Sequence, residues 1–266
     1  MRTAYSAVPT PGTTPKPRNK RITMMIDWGI GFTQQADVLE MGGEYCDLAK
    51  IAVGQAALLS EASLRKKLKI YADHKVDPFP GGMLLEYAFF HGAQDAYLKS
   101  TRDAGFPLIE VSDNSIRFEG KQKYDLIRRC IDEFGLRVLG EVGRKYEKSD
   151  PKAMIEDAKA CLEAGSWKLF VEAAEFFEGG RFQTELVKRL GDEVPVDAMI
   201  FELPGPHIKG IHHFDMHSMI PALLDAFGPD VNIANVPPDM LLICEMQRQG
   251  IGVSMQVDSR QPVGAH

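Results

Sequence analysis

The sequence predicts an α/β fold: a single (β/α)₈ TIM barrel with a disordered N-terminal arm. Three observations carry that expectation. Short apolar or β-branched runs alternate with longer amphipathic stretches, the pattern of parallel strands covered by helices. Eight such units follow one another within 266 residues, close to the length of one closed barrel. No G-x-G-x-x-G follows the first strand, so the signature of a dinucleotide-binding open sheet is missing.

Residues 1–20 are rich in Pro and Thr and poor in apolar groups, and are expected to be a flexible arm. The barrel is expected over 21–255, and a second flexible tail over 256–266. Its strands are expected at Ile22–Asp27, Asp47–Ala52, Val76–Phe79, Leu108–Val111, Arg137–Glu141, Lys168–Val171, Ala198–Phe201 and Asp230–Ile233. Each is short and mostly apolar, as a strand buried on both faces must be. Helices are expected in the gaps, such as Glu61–His74 with Leu64, Leu68 and Tyr71 on one stripe, and Lys121–Phe134 with Leu126, Ile127, Cys130 and Ile131 on another. Gly105, Gly135, Gly165, Gly191, Gly228 and Gly250 are expected at helix C-termini, where glycine most easily takes the left-handed conformation.

Composition narrows the partners. Hydrophobic residues make up 44% and charged residues 26%, the balance of a packed globular chain. A net charge of -6, with no Lys/Arg stripe beyond the first residues, argues against nucleic acid. Cys46, Cys130, Cys161 and Cys244 show no C-x-x-C or metal-ligand spacing, which fits reduced thiols in a cytoplasmic protein. No run of 18 apolar residues and no export leader is visible, so no membrane association is expected.

In such a barrel the C-terminal ends of all strands open into one mouth. Four glutamates stand there, Glu110, Glu141, Glu172 and Glu202, spaced by 31, 31 and 30 residues, one per β/α unit. Carboxylates in apolar strands need a cation or donors to compensate them. A divalent ion, Mg²⁺ before others, is the favoured reading, since it takes oxygen ligands and keeps waters that a substrate can replace. The competing reading is a salt-bridged ring with Lys50, Arg144, Lys145 and Lys168. Lys50 lies inside a strand and suits either a buried ion pair or an anionic ligand. Arg144 and Lys145 follow Gly143, whose flexibility lets a cation turn inward, and a lysine beside carboxylates can serve as general acid.

Two turns look suited to anions: Phe79-Pro80-Gly81-Gly82, and Ser112-Asp113-Asn114-Ser115, with backbone N–H groups near helix starts. Asn235 opens the loop after the last strand, where barrels often hold phosphate. His207, His212, His213 and His217 cluster after the seventh strand, but without an H-E-x-x-H pattern zinc is not expected. His207 and Lys209 are the members expected to touch substrate.

Taken in order, Asp27-x-Gly29, Lys50, Pro80-Gly81-Gly82 with Glu86, Glu110-x-Ser112-Asp113-x-Ser115, Glu141-Val142-Gly143-x-Lys145, Phe201-Glu202-x-Pro204 and Asn232-x-x-Asn235 resemble the phosphosulfolactate synthase family across about residues 21 to 250. The resemblance implies a Mg²⁺-dependent, C–S bond-forming barrel lyase, cytoplasmic and homo-oligomeric, that adds sulfite to phosphoenolpyruvate. By the same implication sulfite attacks the methylene carbon and charge moves onto the carboxylate as an enediolate. Asp27, Glu110, Glu141, Glu172 and Glu202 would hold the metal. Lys145 would protonate the adjacent carbon, Lys50 would help carry the phosphate and sulfonate, and Arg144 would stand in for a cationic anchor that the family carries elsewhere. Gly81, Gly82, Ser112, Asp113, Ser115, His207 and Asn235 would bind the phosphate and sulfonate. The product would be phosphosulfolactate, a precursor of coenzyme M or of sulfolactate. This chain departs from the family pattern at Trp28 and Ala174, where the family carries cations, at Val53-Gly54-Gln55-Ala56, and at Gly205-Pro206. Those departures suit a related lyase with a different nucleophile or acceptor, or a non-catalytic stress-type relative.

Overall fold

The computed structural model describes residues 4–5, 7–8, 10–144, 149–178, 181–205 and 211–251. Eight parallel strands form one nearly closed barrel: β1 (Thr23–Asp27), β2 (Leu48–Ile51), β3 (Asp77–Pro80), β4 (Leu108–Val111), β5 (Arg137–Val142), β6 (Lys168–Val171), β7 (Met199–Glu202) and β8 (Asn232–Val236). Hydrogen-bonded ladders run from β3 through β2, β1, β8, β7, β6 and β5 to β4. The seam between β3 and β4 has a chemical cause. Asp77 and Gly81 donate their N–H groups to Asp47 and Ile51 in and beside β2, so positions 78 and 80 face β4. Both are proline, which has no N–H to give.

Side chains alternate along each strand. One set packs outward against the helices, and the other fills the barrel, with Met24, Leu48, Phe79, Leu108, Leu139, Phe170, Ile200 and Ala234 in one apolar cluster. Two residues further along five of these strands stand Lys50, Glu110, Glu141, Glu172 and Glu202. The polar layer therefore rests directly on an apolar one, at the C-terminal rim expected of such a barrel.

The surrounding helices are α1 (Phe32–Gly42), α2 (Glu61–Asp73), α3 (Gly82–Phe90), α4 (Gln94–Ala104), α5 (Gln122–Asp132), α6 (Pro151–Glu163), α7 (Thr184–Glu193), α8 (His213–Phe227) and α9 (Leu241–Arg248). Their starts and stops follow local chemistry. The Ser60 hydroxyl accepts from Ser63 N–H at the head of α2, and Asp150 does the same for Ala153 ahead of Pro151 in α6. Gly105 closes α4 with φ 93°, the left-handed cap the sequence predicts. Gly191 is a correction: it lies inside α7, and a Cβ there would sit 2.9 Å from the Phe227 ring, so its smallness serves helix packing rather than a stop.

The stretch before β1, assigned by composition to the flexible arm, carries two cations bound to the barrel floor. Arg18 is buried, with its guanidinium 3.0 Å from Asp47 and 2.7 Å from the Glu44 carbonyl. Lys16 donates to the Gly43 and Lys75 carbonyls at 2.7 and 3.1 Å. Low apolar content hid this, because the docking is made by charge-assisted hydrogen bonds. The C-terminal tail predicted over 256–266 lies outside the described residues. No described helix is long and apolar enough to cross a membrane.

Candidate active site

A cavity of about 250 Å³ opens above the apolar layer, with Lys50, Glu110, Glu141, Glu172 and Glu202 in its wall and Gly81, Gly82, Trp28, Gly205 and Asn235 around its rim. Glu110, Glu141 and Glu202 each present a carboxylate oxygen within 4.8 Å of the others, and all three are buried. Lys50 reaches up from β2 between two of them, with Nζ 2.9 Å from Glu110 Oε1 and 2.8 Å from Glu202 Oε1. The ammonium also sits 4.6 Å from the centroid of the Phe170 ring, whose π face is a favourable seat for a cation out of water. The ion-pair reading of Lys50 therefore describes the structure, and the same contacts put the lysine at the centre of the site.

The other oxygen of Glu110 accepts the Gly82 N–H at 2.8 Å, at the start of α3. Glycine is required there: a Cβ at Gly82 would overlap the Ser112 hydroxyl and lie 3.0 Å from Glu110 Cγ. Burial raises the Glu110 pKa to about 7; Lys50 opposes the rise and the Glu141 and Glu202 charges add to it. Two rim residues hold unusual backbone. Val53 and Asn235 have φ of 44° and 56°, a region L side chains seldom occupy and one that collects at functional sites. The Asn235 Oδ1 is buried without a hydrogen-bond partner among the described residues.

Several predicted site residues stand elsewhere. Asp27 is fully buried, and its oxygens accept from Gly29 N–H (2.8 Å), Ile30 N–H (3.0 Å) and the Tyr71 hydroxyl (2.6 Å), with Lys67 Nζ 2.7 Å away. It shapes the β1 loop and is not brought into the carboxylate group. The Ser112–Ser115 turn does bind an anion, but that anion is the protein's own Glu86. The Glu86 carboxylate accepts from the Ser112 hydroxyl and from the N–H groups of Asn114 (3.1 Å), Ser115 (2.6 Å) and Ile116 (3.0 Å). Asp113 turns away to Lys123, 3.0 Å distant. Arg144 gives its N–H to Glu175 at 2.7 Å and lines a neighbouring polar cavity of about 390 Å³ with Asp113 and Lys123. Glu172 lines the main cavity while one oxygen accepts the Ala174 N–H at 3.1 Å. Lys168 is at the floor, bonded to the Asn19 and Asp197 carbonyls, so it belongs to no ring. Lys145, His207 and Lys209 lie outside the described residues.

Sequence reasoning missed two buried lysines that brace the rim from the helices. Lys67 of α2 donates to the Ile30 carbonyl at 2.7 Å. Lys123 of α5 donates to the Glu141 carbonyl at 2.7 Å and pairs with Asp157 at 2.8 Å. The signal was available, since both fall on core-facing stripes, Lys67 with Leu64, Leu68 and Tyr71, and Lys123 with Leu126, Ile127 and Cys130. A lysine on such a stripe needs acceptors at its tip.

The model of the (2R)-phospho-3-sulfolactate synthase (ComA) family matches residues 11–253. A phosphosulfolactate synthase of Methanothermobacter thermautotrophicus is 30% identical, over 91% of this chain and 93% of that protein. The phosphosulfolactate synthase of Methanocaldococcus jannaschii is 28% identical, over 86% and 91%. Among solved structures, a 3-hexulose-6-phosphate synthase shares the fold, with a TM-score of 0.54 at 14% identity over 87% of this chain and 99% of that one.

Proposed function

The chain belongs to the phosphosulfolactate synthase family, and from that premise we propose that it joins sulfite to phosphoenolpyruvate with the help of Mg²⁺, giving 2-phospho-3-sulfolactate. The observation that carries the proposal is the trio of buried carboxylates around Lys50 at the barrel mouth.

In the proposed reaction the sulfite sulfur attacks the methylene carbon. A C–S bond forms, the C=C π pair shifts toward the carboxylate as an enediolate, and a proton then adds to the phosphate-bearing carbon. The phosphate group stays in place. The donor set suits a hard divalent cation: all three donors are buried carboxylate oxygens, and they converge within 4.8 Å of one another. Glu110, Glu141 and Glu202 would hold that ion, which when bound supplies electrostatic stabilisation where negative charge develops on the substrate carboxylate. Lys50 keeps Glu110 and Glu202 at fixed positions and opposes the rise in the Glu110 pKa. The Gly81-Gly82 turn lets an anionic group approach the backbone closely. Lys145, three residues beyond β5 in the sequence, is the proposed proton donor. Association into a homo-oligomer and a cytoplasmic location are part of the same proposal.

Incubation with phosphoenolpyruvate, sulfite and Mg²⁺ tests it, by loss of enol absorbance and by the mass of the adduct. Turnover that disappears in Lys145→Ala and Glu202→Gln is expected. Absence of turnover together with absence of any Mg²⁺ or phosphoenolpyruvate binding heat would sink the reading. A second reading, the same chemistry on a different acceptor, is favoured by one observation: the indole of Trp28 stands at the rim of the cavity.

A further inference from the structure

A second cavity, about 210 Å³, adjoins the first, and Ile26, Trp28, Gly205 and Asn235 belong to the walls of both. Beyond those shared residues its wall is Ile211, Met216 and Pro237, with His212 and His213 beside them at the start of α8. The two compartments differ in chemistry. The first presents four glutamates and a lysine; the second presents almost only carbon. Phosphate, carboxylate and sulfonate are recognised through charge-assisted hydrogen bonds, and the second compartment has few donors to offer them. An apolar recess beside a charged site, with Trp28 still 40% exposed, is the surface that an apolar ligand group would cover.

We infer that the acceptor is the one of the second reading above, a compound other than phosphoenolpyruvate whose apolar substituent lies in the second cavity while its enolate-forming head faces Glu110, Glu141 and Glu202. The inference rests on the proposal above that such a head binds at the carboxylates. At about 210 Å³ the recess is larger than the roughly 150 Å³ apolar cavity that takes up benzene, so it has room for a short alkyl or aryl substituent. Asn235 sits at the junction, held in its left-handed conformation, and its unfilled Oδ1 calls for a hydrogen-bond donor, an N–H or O–H, where head and substituent meet.

Oxamate and N-butyl oxamate test this directly. Both carry the carboxylate and carbonyl of an enolisable 2-oxo acid, both have an N–H at the junction position, and only one has the apolar arm. Calorimetric titration of each into the full chain with Mg²⁺ is expected to show N-butyl oxamate binding about tenfold or more tightly, as burial of two or more methylenes gives. The ratio of the two affinities is expected to fall below about twofold in Ile211→Gln, and in Met216→Gln as a second variant, because a polar amide then faces the arm. Equal affinities in the native chain, with oxamate itself bound, would overturn the subsite and leave the carboxylate reading standing. Binding of neither probe would overturn both.

Discussion

Two sets of buried carboxylates stand toward the same end of the barrel, in opposite electrostatic situations. Asp27, Glu86 and Glu175 each take hydrogen bonds from backbone N–H groups of a loop: the β1 loop for Asp27, the β4 loop for Glu86, and Arg144 and Ser149 after β5 for Glu175. Glu110, Glu141 and Glu202 instead face one another across a cavity. A carboxylate ringed by the backbone donors of a loop has little capacity left for a ligand, and its work is to hold that loop. Carboxylates that face each other repel, and the fold tolerates them because Lys50 stands between two of them. The contrast separates architecture from chemistry among residues of one type.

The sharpest way to break the comparison is to neutralise one member of each set. Glu141→Gln and Glu202→Gln are expected to lower turnover by about 10³-fold, the scale on which preorganised charge acts in a dry site; the urea midpoint should hold or rise in Glu141→Gln as repulsion is relieved, and fall in Glu202→Gln, which takes a partner from the buried Lys50. A variant that stays active would move that residue out of the reacting group. Glu86→Ala should do the reverse. It strands the Ser112 hydroxyl and the N–H groups of Asn114, Ser115 and Ile116. At about 1–3 kcal/mol for each unmet donor, less what water recovers, a loss of roughly 3 kcal/mol is expected in urea unfolding. Unchanged stability would mean that the loop is held by something else.

A smaller effect concerns pH. Glu110 is raised by burial from its ordinary 4.5 to about 7, so between those values the folded chain holds a proton that the unfolded chain has released. Stability of the Mg²⁺-free protein should therefore fall as pH rises through that window and level off above about 7, by on the order of 3 kcal/mol. Glu110→Gln has no such proton to lose. The difference between the two unfolding curves, measured from pH 4.5 to 8, isolates the effect; parallel curves would refute the raised value.

The barrel was legible because its signals are periodic. β4 and β6 match their predicted spans residue for residue, and the other strands shift by a few residues at one or both ends. Glu110, Glu141 and Glu202 were legible for the same reason, since a spacing of one β/α unit puts residues on neighbouring staves. Side-chain partners had no such signal. Ser112, Asp113 and Ser115 read as an anion turn, and nothing in the local sequence says that Glu86, on another helix, fills it. Asp27 ends its strand as the glutamates end theirs, yet the Tyr71 and Lys67 side chains of α2 claim it. Gly191 read as a helix stop because glycine's second use, letting two elements approach closely, depends on where Phe227 lies.

Glu172 sharpens the comparison because it belongs partly to both sets. It lines the cavity with the other three glutamates, yet it also caps the short turn Ala173–Glu175 by accepting the Ala174 N–H. An amide oxygen can accept that bond as a carboxylate does, so Glu172→Gln should keep the cap and change stability by less than about 0.5 kcal/mol. Glu172→Ala removes the acceptor and should cost about 1 kcal/mol, the usual value of a lost cap. Because Glu172 stands outside the group of three that converge within 4.8 Å, turnover in Glu172→Gln should fall by less than tenfold, far short of Glu202→Gln. A thousandfold loss in both variants would put the fourth glutamate among the reacting carboxylates and extend the chemical set from three staves to four.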